Sequence, residues 1–307
     1  MLSKNRVKQL IPYLGLIAIL LIFTIITSGR IIRIQNLKLI FNQAIVLMIG
    51  CIGVTFVITQ GSLDFSQGSM LGFVAAMSAI AAAKSPLLAL PIALLTGLIM
   101  GAVNGSLFSF LKIPSFIVTL CMLFILRGLI LIITKSGPLP IPFSMYNLDS
   151  YTLKIPVLLV IIIIAVYVFN YTRFGKYGRA IGSGETAAKH SGVPVAKMKL
   201  YAFMIAGVLC GICGFLNLIR TGAADSKTGL LFEIDILTAL VVGGMPLTGG
   251  SNSKIHSAII GALILSILTN GMILIGVKAE LQQAVKGIIF LLAVYFSFER
   301  ENIAVIK

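Results

Sequence analysis

Tryptophan is missing from this chain, histidine occurs twice, and Asp and Glu together supply nine of its 307 residues. Each scarcity excludes something. Without Trp, anchoring at a membrane surface falls to Tyr, and Tyr13, Tyr151, Tyr171, Tyr177 and Tyr201 lie near the ends of apolar runs. His190 and His256 are far apart, each beside a charged or polar stretch, and neither makes a convincing ligand or base. The four cysteines, Cys51, Cys121, Cys210 and Cys213, sit inside apolar runs, where a thiol acts as a small packing group. Cys210 and Cys213 form a CxxC, but no second pair or His cluster completes a metal site, so neither metal nor cofactor is expected. No HExxH or nucleophile elbow occurs, and Gly182 to Lys189 has neither the spacing nor the Gly-Lys pair of a phosphate-binding loop. An enzyme is therefore unsupported, and any ATP hydrolysis that drives this protein belongs to another chain.

What the chain has is apolar residues: 58% are hydrophobic against 11% charged, with a mean hydropathy of +1.08. Soluble domains carry about a quarter charged residues and could not hide so much apolar surface. About 20 helical residues cross a bilayer core, which points to an all-α integral membrane protein with about ten transmembrane helices, some short or broken. The expected spans are 9–28, 36–60, 67–83, 87–110, 114–134, 156–172, 200–220, 234–248, 255–277 and 281–298 in a single transmembrane domain over 1–307. The basic start (Lys4, Arg6, Lys8) and the run from Leu10 to Thr27 resemble a signal peptide. That run is long and Ser28-Gly29-Arg30 is a poor cleavage site, so an uncleaved first span is expected.

The formal net charge of +15 would suggest nucleic acid in a soluble protein, but here Lys and Arg lie mostly between apolar spans. Anionic headgroups and the positive-inside rule account for that placement, and no nucleic-acid partner is expected. The densest basic cluster, residues 173–199, holds Arg173, Lys176, Arg179, Lys189, Lys197 and Lys199 against the single acid Glu185, which places it in the cytoplasm. Ten spans then leave both termini cytoplasmic. Arg30, Arg33 and Lys38 fall on the outer side of this layout and oppose it.

Two apolar regions are interrupted by polar, glycine-rich sequence, Thr59 to Ser69 and Gly243 to Ser253. Irregular backbone exposed to lipid costs several kcal/mol per unpaired polar group, so such breaks either line a pathway or reach the surface as ordinary loops. Arg127 and Lys286 lie within spans and need partners or water, since a charge at a span centre costs roughly 2.5 to 3.5 kcal/mol. Lys286 is near enough to a span end to snorkel, whereas Arg127 is deeper. Glu233 and Asp235, two positions apart, point to different helix faces and read as interface residues. Ala93, Gly97, Gly101 and Gly105, at steps of four, line one helix face with small residues, where another helix can approach closely.

One stretch is more specific. From Thr172-Arg173-Phe174-Gly175-Lys176 through Ala180-Ile181-Gly182, Ala187-Ala188 and Ser191-Gly192-Val193, the chain resembles the cytoplasmic loop of permease subunits of bacterial sugar ABC importers, the ribose-type group. The resemblance continues in register through Asp64-Phe65-Ser66 with Gly68-Ser69, Gly101 to Gly105, Pro114 to Leu120 with Arg127-Gly128, Gly243-Gly244 with Gly249-Gly250, and Asn270-Gly271. It departs from the family pattern at Phe65, Gln67, Ser115 and Ser251-Asn252. The resemblance implies a permease in the bacterial inner membrane that moves a simple, ribose-like sugar. Its partners would be a second permease chain, identical or paralogous, two cytoplasmic ATP-binding cassette domains, and an extracytoplasmic solute-binding protein. It implies ATPase coupling by Glu185, Ala187, Ala188, Ser191, Gly192 and Val193. Pathway candidates are Asp64, Ser66, Gly68, Asn104, Arg127, Gly243, Gly244, Gly249, Gly250 and Asn270. Residues 135–154 and 221–233 become the expected docking surfaces for the binding protein. The alternatives are an ABC permease for a nucleoside, a furanone or a branched-chain amino acid, and a stand-alone secondary transporter or channel, against which the scarcity of intramembrane carboxylates weighs.

Overall fold

The computed structural model describes residues 4–135 and 137–297, and side chains within 12–135 and 137–295. The side chains of Lys4, Arg6 and Lys8, and the last residue of the tenth expected span, lie outside the described residues. Twelve α-helices follow one another among them: α1 (Lys4–Ile26), α2 (Ile34–Thr59), α3 (Gln67–Lys84), α4 (Ala89–Ser109), α5 (Ser115–Thr134), α6 (Tyr151–Tyr171), α7 (Arg173–Ser183), α8 (Glu185–His190), α9 (Val195–Thr221), α10 (Phe232–Val242), α11 (Ile255–Leu274) and α12 (Ala279–Ser297). Two short strands, β1 (Leu139–Pro140) and β2 (Ala223–Ala224), pair antiparallel. A helix occupies each of the ten expected spans, and α7 and α8 fill the basic cluster between the sixth and the seventh. Among the described residues, six stretches are long and apolar enough to cross a membrane: α2, α4 with the 3-10 turn before it, α5, α6, α9 and α11.

Hydrophobicity on every face of a helix means burial on every face in protein, or exposure of one side to lipid. The structure sorts the six accordingly. Most of α2, α9 and α11 is buried inside the protein and forms the core, whereas α4, α5 and α6 are only 28% buried. The outer faces of α5 and α6 present Phe124, Ile132, Ile163 and Tyr167, each more than half exposed and suited to acyl chains.

The small-residue ridge of α4 meets its counterpart on α9. A Cβ on Gly211 would lie 2.6 Å from the Ala93 carbonyl oxygen, and a Cβ on Gly97 or Gly101 would collide with the carbonyls of Gly207 and Phe203. Backbone-to-backbone contact of this kind replaces the hydrophobic drive that helices lose in lipid.

Helix lengths place the breaks. At 1.5 Å per residue α2 is about 39 Å long, enough to cross a core of about 30 Å, but the 11 residues of α10 reach only about 16 Å. The Cys210 thiol, roughly midway along α9, lies 3.3 Å from the Gln67 carbonyl at the start of α3. The first turn of α10 packs on Gly50, where a Cβ would touch Phe232 and Ile236, about 14 Å up α2 from Thr59. Both α3 and α10 therefore begin halfway along the bundle. From there α10 descends beside α2 toward the end that carries α7 and α8, and α3 rises the other way.

Candidate functional site

At the α7–α8 end, three sequence-distant segments interlock. Thr59, the last residue of α2, accepts a hydrogen bond of 3.0 Å from the Gly250 amide, and the Ser251 amide donates 3.1 Å to the Ser183 hydroxyl at the end of α7. Gln60 Nε2 donates to the Met198 carbonyl in the first turn of α9 (3.1 Å). A Cβ on Gly182 would collide with Thr59 and Gly250, so α7 reaches this junction only because it carries glycine there. The sharp turn from α6 into α7 is held by Arg179, whose Nη1 donates to the Phe169 carbonyl (3.0 Å) while its guanidinium lies over the Phe169 ring.

The helix pair has a small core of its own. Ile181, Ala188, Val193 and Val195 are buried together, with Tyr177 and Met198 against them. Of the six expected coupling residues, Ala188 and Val193 belong to this core, whereas Glu185, Ala187, Ser191 and Gly192 are exposed. Glu185 accepts from Lys199 Nζ (2.7 Å), which pins the start of α8 to α9. Gly192 has φ +80 and ends α8: its amide bonds Lys189, and the next amide, of Val193, bonds Ala188. That left-handed residue turns the chain back so that Val193 can enter the core.

Halfway along the bundle lies a buried polar centre. Asp64 accepts from the Ser66 amide (2.9 Å), the Ser66 hydroxyl (2.6 Å) and Gln67 Nε2 (2.6 Å), and Asn104 Nδ2 of α4 donates to Ser66 Oγ (2.9 Å). Phe65 is held by Thr119 of α5, whose hydroxyl takes its amide proton at 3.1 Å. The starts of α3 and α10 abut beside this network. A Cβ on Gly68 would collide with Glu233 and the Gly229 carbonyl, and one on Gly72 with the Thr228 carbonyl. Arg127 of α5 clamps the same loop, with Nη1 to the Thr228 carbonyl (2.8 Å) and Nη2 to the Gly229 carbonyl (2.6 Å). Two helix N-termini thus converge on Asp64 and Glu233, and carboxylates are what the positive ends of helix dipoles favour.

Three expectations are corrected. Glu233 is not an interface residue: it is 6% exposed and pressed on the first turn of α3. Its reading failed because α10 starts inside the bundle rather than at its surface. Lys286 does not snorkel but pairs with Asp235 at 2.8 and 3.0 Å. The expected outer segment 221–233 is not a surface loop throughout: Thr228, Gly229 and Glu233 press inward on α3 while Leu230 stays exposed, and Ala223 and the buried Ala224 pair with Pro140 and Leu139 of the other expected docking segment.

The structure brings Asp64, Ser66, Gly68, Asn104 and Arg127 into one region and leaves the rest apart. Gly249 and Gly250 sit at the α7–α8 junction, and Gly243 packs on Ser257 and Gly261 of α11, with Gly244 exposed next to it. Asn270 accepts from Asn36 Nδ2 (2.8 Å) at the opposite end, where it fastens α11 to α2. Cys210 and Cys213 are buried free thiols turned toward the Gln67 and Val46 carbonyls, as packing groups. Glu233 and the carbonyls of Thr228 and Gly229 carried no local signal beyond an acid and a glycine near a short apolar run.

The sequence family described as branched-chain amino acid transport system / permease component matches residues 36–294. The chain is 33% identical to the ribose import permease protein RbsC of Escherichia coli (strain K12), over 91% of each chain. It is 33% identical to the protein of the same name from Bacillus subtilis (strain 168), over 94% of this chain and 92% of that one. It is 30% identical to the xylose transport system permease protein XylH of Escherichia coli (strain K12), over 96% of this chain and 92% of that one. No solved structure matches.

Proposed function

The chain belongs to the family of permease components of branched-chain amino acid transport systems, and from that premise we propose that it is the membrane subunit of an ATP-binding cassette importer of a simple, ribose-like sugar. The relatives named for ribose and xylose supply the substrate class. The observation that carries the mechanism is the α7–α8 pair, which presents Glu185, Ala187, Ser191 and Gly192 on its surface while gripping the ends of both glycine-rich breaks through Gly182 and Ser183. A force applied to α8 by an ATPase domain reaches the breaks through hydrogen bonds and close backbone contact.

In this reading the α7–α8 end is cytoplasmic, all ten helices at the expected spans lie in the bacterial inner membrane, with α3 and α10 entering from mid-depth, and both termini are cytoplasmic. Two permease chains form the pathway over two ATPase domains, and a solute-binding protein docks at the opposite end around the β1–β2 pair. Asp64, Ser66, Gly68, Asn104 and Arg127 form the mid-membrane part of the machinery, and Gly243, Gly244, Gly249 and Gly250 its cytoplasmic hinge. Asn270 has a fastening role. ATP and the loaded binding protein each shift the permease only by binding one of its states better than the other.

The test is reconstitution in liposomes with and without the ATPase and binding protein, followed by uptake of labelled D-ribose and D-xylose. Uptake of either sugar that requires both partners and ATP is the expected result. Uptake by the permease alone would instead identify a stand-alone transporter.

A further inference from the structure

A polar cavity of about 310 Å³ lies directly beyond the start of α10, in the half of the bundle away from α7 and α8. Its wall carries Gln43 of α2, Asn217 and Arg220 of α9, Asp235 of α10 and Ser266 of α11, with Phe232 as an apolar surface. The floor is the Gly229–Phe232 turn, which Arg127 clamps from behind. A polar hollow inside an apolar bundle is costly unless something polar fills it.

The wall carries two bases, Arg220 and Lys227, against one acid, Asp235, which Lys286 already holds. Hydrogen-bonding capacity is left over. Arg220 spends Nη2 on Asn217 Oδ1 (2.8 Å), the Asn217 amide hydrogens stay free, and the Gln43 side chain makes no hydrogen bond among the described residues. Ligand sites start at about 300 Å³, so this one takes a single small ring rather than a nucleoside or a disaccharide.

We propose that this cavity holds one neutral monosaccharide during import, its hydroxyls meeting Gln43, Asn217, Arg220 and Ser266 and its C–H face lying on Phe232. The proposal rests on the sugar-permease reading above and adds a place and a set of contacts to it. Amides and hydroxyls both donate and accept, as sugar hydroxyls do. A free amino acid fits less well, because the carboxylate on the wall, Asp235, is already engaged by Lys286 and leaves its ammonium without a partner.

The test uses the reconstituted permease with its ATPase and binding protein, and labelled D-ribose, D-xylose and L-leucine. Gln43→Leu and Ser266→Val keep volume while removing polar groups; each is expected to lower sugar uptake about tenfold or more and to shift the ribose-to-xylose preference, because sugar hydroxyls lose partners. The size-exclusion profile and assembly with the ATPase stay as in the parent, and Ser266→Thr, which keeps the hydroxyl, restores uptake. Unchanged uptake, KM and sugar preference in Gln43→Leu and Ser266→Val overturn the cavity assignment while leaving the sugar-permease reading intact. Import of L-leucine and of neither sugar by the parent protein overturns both.

Discussion

Single residues decide whether the two half-length helices can meet. Gly68 is pressed so closely by Glu233 and the Gly229 carbonyl that even a methyl group has no room. Gly68→Ala is expected to cost about 1–3 kcal/mol of stability through overpacking, seen as a lower unfolding temperature in detergent. Glu233→Ala added to it relieves only part of the loss, because the carbonyl contact remains. An equal unfolding temperature for Gly68→Ala and the parent would contradict the close approach of α3 and α10. The candidacy of Gly68 was legible from its glycine-rich surroundings, but its partner was not: Glu233 lies far away in sequence, and nothing local distinguishes a buried acid from one at an interface. The same holds for Arg127, whose partners are backbone carbonyls that any residue type would supply.

Among the elements, α8 is the smallest with a function assigned to it. Its six residues are too few to be stable alone, and it holds its shape through Ala188, Val193 and the left-handed Gly192. A Cβ on Gly192 meets nothing within 4 Å, so a side chain there starts in open space, and Gly192→Val carries a backbone penalty of about 1–2 kcal/mol at φ +80. The variant is expected to insert and assemble normally while α8 loses its direction, so that ATP hydrolysis continues and uptake falls. Coupled uptake at the parental rate would remove α8 from the coupling surface. The six long apolar helices and the α4 ridge were readable from run length and from the four-residue spacing of Ala93, Gly97, Gly101 and Gly105, both set by helix geometry. The depth at which α3 and α10 begin was not, since composition records how apolar a segment is and not where along a neighbour it starts.

The whole molecule has two distinct ends, one built from α7 and α8 and a second closed by the β1–β2 pair. Single cysteines at Thr186 and Ser144, in a background with Cys121 replaced, are expected to react with a membrane-impermeant maleimide from opposite sides in sealed vesicles. Labelling of both from one side would invalidate the proposed orientation. The brevity of α10 also bears on how the protein is made. A helix of about 16 Å cannot hold a place across a bilayer core by itself, and its surroundings include α11 and α12, which follow it in the chain. The ribosome must therefore have delivered both later helices before α10 can be seated. Until that moment Asp235 lacks its partner Lys286, so the seat of α10 is the last part of the centre to be completed during synthesis.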